Sequence, residues 1–373
     1  MSDDAYPEAD ARDGAPHPRF ASLVYGHEHQ TSEVVSARGG NLHHAWMLAG
    51  PRGIGKATFA WKLAETLLGT PPDDGLFGAE PITKLGLEDG HPVKARLQAL
   101  SEPRLALIRR AWDDRAKRLK TQITVDEVRK LHGFLSLSAP DGGRRVVLID
   151  AADEMNITAA NAVLKLLEEP PADTVFLLVT HQPAGLLPTI RSRCRMLRFD
   201  PLSPEHLSAA LAAAEIDAPP GQETALAILS QGSVGVAIGL IAGDGLGLYT
   251  QIIEVLKGCP NLDRQAALTL ANATSGRGAE AKRDMTLQLF EMVLARLARF
   301  GAGGEMAGYT HASEAELCEK LAPNLAASQT WADAGQTLTT EARRAIAVNL
   351  DPSHVILDMI LKMNELAGRV VRP

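Results

Sequence analysis

The sequence lacks the cysteine spacing of a zinc or disulfide site. Its three cysteines, Cys194, Cys259 and Cys318, are far apart along 373 residues. No pair has C-x-x-C spacing, so neither a zinc ribbon nor a disulfide framework is indicated. Free cysteines favour a reducing compartment, and we expect the protein to be cytoplasmic.

Aromatic residues, long apolar runs and excess positive charge are also scarce. Aromatics make up only 4% of the chain while alanine and leucine abound, which favours helices over a β-sandwich. No run of 18 apolar residues occurs, so no membrane span is predicted. The net charge is −7, whereas a protein that wraps DNA alone is usually basic. Any contact with nucleic acid should therefore be local, or shared with partner chains.

Strand and helix patterns alternate in the first 200 residues. Residues 1–19 are acidic and proline-rich, which is typical of a disordered tail. The pattern predicts an α/β domain with a parallel, doubly wound sheet over residues 20–200. We expect a small helical lid over 201–243 and an all-helical domain over 248–373. The predicted strands are 45–49, 145–150 and 174–180, and the predicted helices between them are 58–68, 124–135 and 158–169.

Residues 70–120 contain a predicted loop and a basic insertion. Glycine, proline and aspartate predict a loop over 70–90, and residues 92–120 are predicted to be partly helical. A patch that contacts DNA is one interpretation of this insertion. A solvated helix face is favoured, because Asp113 and Asp114 interleave with cations at i, i+3 and i+4 spacing. The basic residues are Lys94, Arg96, Arg104, Arg109, Arg110, Arg115, Lys117, Arg118 and Lys120.

A phosphate-binding loop is predicted where the first strand meets the first helix. The segment GPRGIGK at residues 50–56 fits the pattern G-x-x-x-x-G-K. Gly50, Gly53 and Gly55 would let backbone N–H groups turn towards phosphate oxygens. Lys56 would reach the outer phosphates. The alternative is a glycine-rich turn between a strand and a helix that binds no ligand.

The loop lacks the hydroxyl that normally binds magnesium. Ala57 occupies the position of the usual serine or threonine, and Thr58 comes one residue late. One residue along a helix rotates a side chain by about 100°, so Thr58 cannot simply substitute. We expect ATP to bind weakly or without hydrolysis, and magnesium binding is uncertain.

The second strand ends in an acid that could serve the same site. Asp150 would hold Mg²⁺ through water, but the carboxylate that orients the attacking water is absent, since Ala151 follows. Asp153 and Glu154 are out of register and are more commonly a solvated helix entry. Thr180, at the end of the third strand, completes the candidate nucleotide-binding residues.

Four arginines follow the third strand: Arg191, Arg193, Arg195 and Arg198. A solvated basic strand edge is one interpretation. The other is an arginine finger, in which a guanidinium stabilises a phosphoryl group that transfers on another chain.

Four segments together resemble bacterial clamp-loader subunits of the AAA+ class. They are HHAWMLAGPRGIGKAT, ITVDEVRKL, VVLIDAADEMNITAANAVLKLLEEPPADTVFLLVT and TIRSRCR. The resemblance is strong over about residues 20–240 and weak beyond. Many members carry four zinc-binding cysteines after the phosphate loop, and residues 70–120 here have none, so no zinc is predicted. A motor subunit has an arginine where the segment GSVG places Gly235.

The resemblance implies a stator subunit that supports ATPase neighbours. Such a chain would join gamma/tau and delta subunits in a hetero-pentamer that opens a sliding clamp and loads it onto primed DNA. Arg193 would act in trans at a neighbour's ATP site. An active motor ATPase of the gamma/tau type is the alternative. A P-loop kinase is a third interpretation, which the helical C-terminal region and the Ser-Arg-Cys segment disfavour.

Overall fold

A computed structural model describes residues 7–11, 14–38, 42–69, 84–136, 143–276, 278–306 and 308–371. The chain forms two compact units. The α/β unit comprises Met1–Asp217 with Gly232–Gly235, and the helical unit comprises Ala218–Gln231 with Val236–Pro373. Most of the loop predicted over 70–90 lies outside the described residues.

Five parallel strands form the sheet of the α/β unit, which confirms the predicted fold class. Their order across the sheet is β2-β5-β6-β1-β7. The three central strands have apolar interiors that are buried on both faces, as parallel strands covered by helices must be. The strands are β1 (Ala45–Ala49), β2 (Leu105–Ile108), β5 (Arg145–Asp150), β6 (Thr174–Thr180) and β7 (Arg195–Arg198), and a separate hairpin holds β3 (Trp112–Asp113) and β4 (Arg118–Leu119).

Helices cover both faces of this sheet. Alternate side chains of β1 point to opposite faces, so Trp46 and Leu48 join one apolar core while Ala45 and Met47 join the other. The helices of the unit are α1 (Glu28–Arg38), α2 (Lys56–Gly69), α3 (Pro92–Gln98), α4 (Val125–Ser136), α5 (Ile157–Glu168), α6 (Pro188–Arg191) and α7 (Pro204–Ala213).

The basic insertion differs from its prediction. Only α3 is helical within residues 92–120. Residues 105–108 form an edge strand that pairs with β5, and residues 112–119 form the β3–β4 hairpin. The solvated helix face expected for this segment is therefore wrong beyond α3. Local charge spacing at i, i+3 and i+4 did not distinguish a helix face from a hairpin.

Residues 7–20 also differ from the predicted tail. Arg109 contacts both Glu8, at 2.9 Å, and Asp10. Arg19 holds the Glu8 carboxylate at 2.7 Å, and His17 lies 3.1 Å from the Asp10 carboxylate. These contacts tie residues 7–19 to the α/β unit, whereas the sequence predicts disorder over 1–19. Residues 1–6, 12 and 13 lie outside the described residues.

A buried ion pair anchors the chain that follows α2. Lys62 donates to Glu65 at 2.6 Å, and both side chains are fully buried. The second Glu65 oxygen accepts the N–H of Leu87, and the Thr66 hydroxyl accepts the N–H of Gly86. Polar side chains of α2 thus fix residues 86 and 87, in the region where the resemblance would place a zinc module.

Among the described residues of the helical unit, α-helices are the regular secondary structure. Its fold follows the apolar stripes of the long helices, which bury Trp331 and Met359 among others. The last helix carries the stripe that the sequence shows at Ile356, Ile360 and Met363. The helices are α8 (Glu223–Ser230), α9 (Val234–Ala242, which begins in the α/β unit), α10 (Gly245–Lys257), α11 (Arg264–Asn272), α12 (Glu280–Gly301), α13 (Ala312–Leu321), α14 (Leu325–Ala347) and α15 (Pro352–Val371).

A buried carboxylate organises one corner of the helical unit. Glu314, on α13, is 1% exposed and contacts the Arg296 guanidinium of α12. It accepts the Tyr249 hydroxyl at 2.7 Å and both the N–H and the hydroxyl of Thr310 at 2.8 and 2.9 Å. Arg296 also donates to the Gly308 carbonyl at 2.6 Å. One carboxylate therefore joins α10, α12 and the loop that precedes α13.

Within the described residues no single helix is long and apolar enough to cross a membrane. Two consecutive helices, Val234–Ala242 and Gly245–Lys257, are together long and apolar enough by length and composition alone, although the chain bends by 79° between them.

Candidate nucleotide-binding site

The predicted phosphate loop lies between β1 and α2, at the carboxyl edge of the sheet. Gly53 and Gly55 have φ angles of +76° and +100°, which glycine adopts without strain. A Cβ on Gly53 would lie 2.4 Å from the Ser233 hydroxyl, and one on Gly50 would lie 2.4 Å from the Phe199 carbonyl oxygen. The three glycines are thus required by conformation or by close packing.

Lys56 is turned onto its own loop. Its side chain is buried, and Nζ donates to the carbonyl oxygens of Gly50, at 2.7 Å, and Pro51. Burial lowers the pKa of Lys56 to about 8, although Asp150 and Asp153 act in the opposite direction. The lysine expected to reach phosphates instead closes the loop that carries it.

A second segment closes the loop from outside. The Gly235 N–H donates to the Gly53 carbonyl at 3.0 Å, and the Ser233 hydroxyl donates to the Arg52 carbonyl at 2.9 Å. The position where the resemblance implies an arginine is therefore occupied by backbone packed on the loop. A Cβ on Gly53 would lie 3.0 Å from the Gly235 Cα, so this close packing requires glycine at position 53.

Asp150 ends β5 beside the loop and is nearly inaccessible to solvent. Burial raises the pKa of its carboxyl to about 7, and the charges of Asp10 and Glu154 act in the same direction. Lys56 opposes them. The N-terminal residue Asp10 thus lies near enough to Asp150 to affect its charge, which the sequence did not suggest.

The acids after Asp150 have structural partners. Asp153 accepts the N–H of His181 at 2.9 Å. Glu154 pairs with Arg52 of the phosphate loop at 2.8 Å and with Arg110 at 2.7 Å. Neither carboxylate is the solvated helix entry that the sequence favoured, although neither replaces the missing acid at position 151.

The end of β6 brings two further polar groups to the site. Thr180 is fully buried, and its hydroxyl has no hydrogen-bond partner among the described residues. Nδ1 of the neighbouring His181 also has no hydrogen-bond partner among the described residues. Burial lowers the pKa of His181 to about 4. Thr58 is a half-buried residue of α2. The buried, unpartnered Thr180 hydroxyl is the group here that best fits a polar ligand.

Arg193 lies just after α6, with its side chain 35% exposed. Its guanidinium contacts the Glu168 carboxylate at 2.8 Å and donates to the Thr189 carbonyl at 2.9 Å. None of the contacts described for Arg193 involves the phosphate loop. The nearby Arg195 has other partners: it pairs with the Glu33 carboxylate at 2.9 Å, and its guanidinium lies over the Trp46 ring.

The described residues contain no group of three or more His, Cys, Asp or Glu side chains that could hold a metal ion. Three carboxylates lie beside the loop: Asp150 and Asp153, whose charges act on Lys56, and Glu154, which pairs with Arg52.

Stability of the α/β unit should depend on Asp150 and pH. Between about pH 4 and its folded pKa of about 7, the folded chain keeps a proton that the unfolded chain loses. The unfolding free energy therefore falls as pH rises through this window. Asp150→Asn should raise the unfolding free energy at pH ~8 by about 1–3 kcal/mol, and by less at pH ~5. Urea unfolding at both pH values measures the change in unfolding free energy, and Asp200→Asn, at an exposed position, is the control. An equal change at the two pH values would contradict the prediction.

Known proteins match the α/β unit best. Residues 29–203 match the family described as DNA polymerase III, delta subunit. The chain is 40% identical over 235 residues to DNA polymerase III subunit delta′ of Pseudomonas aeruginosa, covering 62% of this chain and 65% of that protein. It is 33% identical over 212 residues to the Escherichia coli delta′ subunit, covering 57% and 58%.

A tau subunit is also similar. DNA polymerase III subunit tau of Escherichia coli is 30% identical over 289 residues, covering 75% of this chain and 41% of that protein. The chain therefore spans less than two thirds of the length of each of these three relatives.

Proposed function

We propose that this chain, which is similar to DNA polymerase III delta′ subunits, is a stator subunit of a bacterial clamp loader. In this role it assembles with gamma/tau and delta subunits into a hetero-pentamer. The assembly opens a sliding clamp and places it on primed DNA, in the cytoplasm. The chain itself contributes architecture and one arginine, and its neighbours hydrolyse ATP.

The observation that carries this proposal is the closed phosphate loop. Lys56 donates to carbonyls of its own loop, and Ser233 and Gly235 donate to two more. A motor must release such contacts to hold triphosphate and Mg²⁺ at each turnover. The losses at Ala57 and Ala151 remove the metal hydroxyl and the water-orienting acid as well. ATP then binds weakly or stays unhydrolysed, with Gly50, Gly53, Gly55, Lys56, Thr58, Asp150 and Thr180 as the residues that face it.

The exposed arginine supports the second half of the proposal. The Glu168–Arg193 pair is partly solvated, and such pairs contribute only about 0–1 kcal/mol. Arg193 can therefore exchange this carboxylate for a phosphate of a neighbouring chain at little cost. Its planar guanidinium suits the charge that spreads over a transferring phosphoryl group.

We expect the isolated full chain to hydrolyse ATP no faster than its Lys56→Ala variant, with or without primed DNA. Steady-state release of phosphate measures the turnover. The same preparation, mixed with gamma/tau and delta subunits, should enter the complex as one copy, as native mass spectrometry can show. Robust turnover that Lys56→Ala abolishes would instead establish a gamma/tau-like motor, and failure to assemble would reject the stator role.

A further inference from the structure

The basic hairpin, residues 112–119, projects from the sheet edge that carries the phosphate loop. It follows the carboxyl end of β2, which neighbours the carboxyl end of β5. Its strands pair Trp112 with Leu119 and Asp113 with Arg118, and the Lys120 N–H closes the base on the Ala111 carbonyl at 2.8 Å. The hairpin is thus a small projection with a defined register.

Three cations at its tip have no ion-pair partner among the described residues. Arg115, Lys117 and Arg118 are all exposed. Elsewhere the α/β unit pairs most of its cations with carboxylates within 4.0 Å. The paired residues are Arg19, Arg52, Lys62, Lys94, Arg96, Arg104, Arg109, Arg110, Arg129, Lys130, Arg193 and Arg195. The hairpin cations differ from these residues in having no carboxylate within 4.0 Å among the described residues.

Two acids lie in the hairpin, and no ion pair within 4.0 Å is described between either of them and these cations. Asp114 is exposed beside them, and Asp113 shapes the turn. The Asp113 carboxylate accepts the N–H groups of Arg115 and Ala116 at 2.9 and 3.0 Å, and these bonds lower its pKa. Lys117 adopts a left-handed conformation, with φ of +51°. Asp113 thereby fixes the turn that holds three cations side by side.

We infer that the basic hairpin binds the phosphate backbone of DNA, an assignment that rests on the proposed function for the identity of the nucleic acid. Three exposed cations on a fixed turn suit a row of phosphates, which receive most of the hydrogen bonds between proteins and DNA. A chain with a net charge of −7 requires such a local positive surface to approach DNA. Contact is independent of base sequence.

Neutralising the tip tests the inference. The variant Arg115→Gln, Lys117→Gln, Arg118→Gln is compared with Arg129→Gln, Lys130→Gln, Lys165→Gln, which removes equal charge from exposed positions on α4 and α5. Fluorescence anisotropy measures binding of primed DNA by the reconstituted complex, and by the full chain alone at low salt. The hairpin variant should bind at least about tenfold more weakly at ~50 mM salt, and its slope of log K against log salt should fall by about two to three.

Three outcomes decide between explanations. Equal binding by the two variants, in a complex that has assembled normally, overturns the hairpin assignment and leaves the stator role intact. Loss of assembly by the hairpin variant alone would mean that the tip faces an acidic protein surface, which also overturns it. Weaker binding by the full chain alone supports the assignment even where no complex forms, so that failure of the stator role is recognised separately.

Discussion

Replacing Glu314 with alanine is expected to cost the helical unit about 3–5 kcal/mol of stability, because it leaves the Arg296 guanidinium buried without its counter-charge. The substitution also removes the acceptor of the Tyr249 hydroxyl and of two groups of Thr310. Hydrogen exchange of the full chain provides a local measurement. Amides of α10 and α13 should lose protection by about 10²–10³-fold, since each 1.4 kcal/mol is a factor of about ten.

A solvated acid on the same helix supplies the control for this experiment. Glu316 lies two residues along α13 and pairs with Lys257 at 2.7 Å, but its side chain is 65% exposed. Glu316→Ala should cost less than about 1 kcal/mol. A comparable loss in both variants would show that the buried contacts of Glu314 are not what stabilises the helical unit.

The effect of Glu314→Ala should also shrink in acid. Burial acts to raise the pKa of Glu314, but bonds from Thr310, Arg296 and Tyr249 outweigh it and hold the pKa below its ordinary value. A lowered carboxyl pKa stabilises the fold above the unfolded value of about 4.5, and this contribution disappears as pH falls through the folded pKa. The difference in unfolding free energy between the wild type and Glu314→Ala should therefore become smaller below about pH 4.

Arg193→Ala should slow ATP hydrolysis at one neighbouring site of the reconstituted loader by about 10³-fold or more, the usual contribution of an arginine finger. The total rate of DNA-stimulated ATP hydrolysis would fall by the fraction that this site contributes. If the sites hydrolyse ATP in sequence, the total rate would fall by more than that fraction. Arg193→Lys should recover little, because an ammonium lacks the planar fork. Single-turnover hydrolysis in the assembled complex separates the affected site from the others.

Arg198→Ala is the matched control for the finger, since Arg198 is an exposed arginine of the same cluster. It should leave turnover and assembly unchanged. Fold damage by Arg193→Ala is not expected, because the pair with Glu168 is partly solvated. Unchanged hydrolysis with normal assembly would reject Arg193 as the finger.

Buried strands and the glycine loop were predictable because their signals are local. The three central strands are continuous apolar runs, and the loop is fixed by Gly53 and Gly55. The edge strands β2 and β7 were missed. Most of their residues are only partly buried. The apolar run of β2 is only four residues long and lies in a basic segment, and β7 begins and ends with arginine, so both signals are weak.

Contacts between distant residues were beyond the reach of the sequence. Nothing local shows that Glu168 would meet Arg193, or that Asp10 would meet Arg109 and influence Asp150. Each pairing depends on the order of strands across the sheet. The acidic composition of residues 1–19 predicted disorder for the same reason, since Arg109, which contacts both Glu8 and Asp10, is 99 residues from Asp10 along the chain.

Glu154 gives the α/β unit a means of thermodynamic linkage. Its carboxylate is shared between Arg52 of the phosphate loop and Arg110 at the base of the basic hairpin. If an anion binds one of these arginines, the Glu154 carboxylate pairs more strongly with the other, because both arginines share one negative charge. Thermodynamic linkage is reciprocal. The factor by which a bound nucleotide changes the affinity of the hairpin for DNA phosphates is therefore the factor by which bound DNA changes the affinity of the loop for nucleotide.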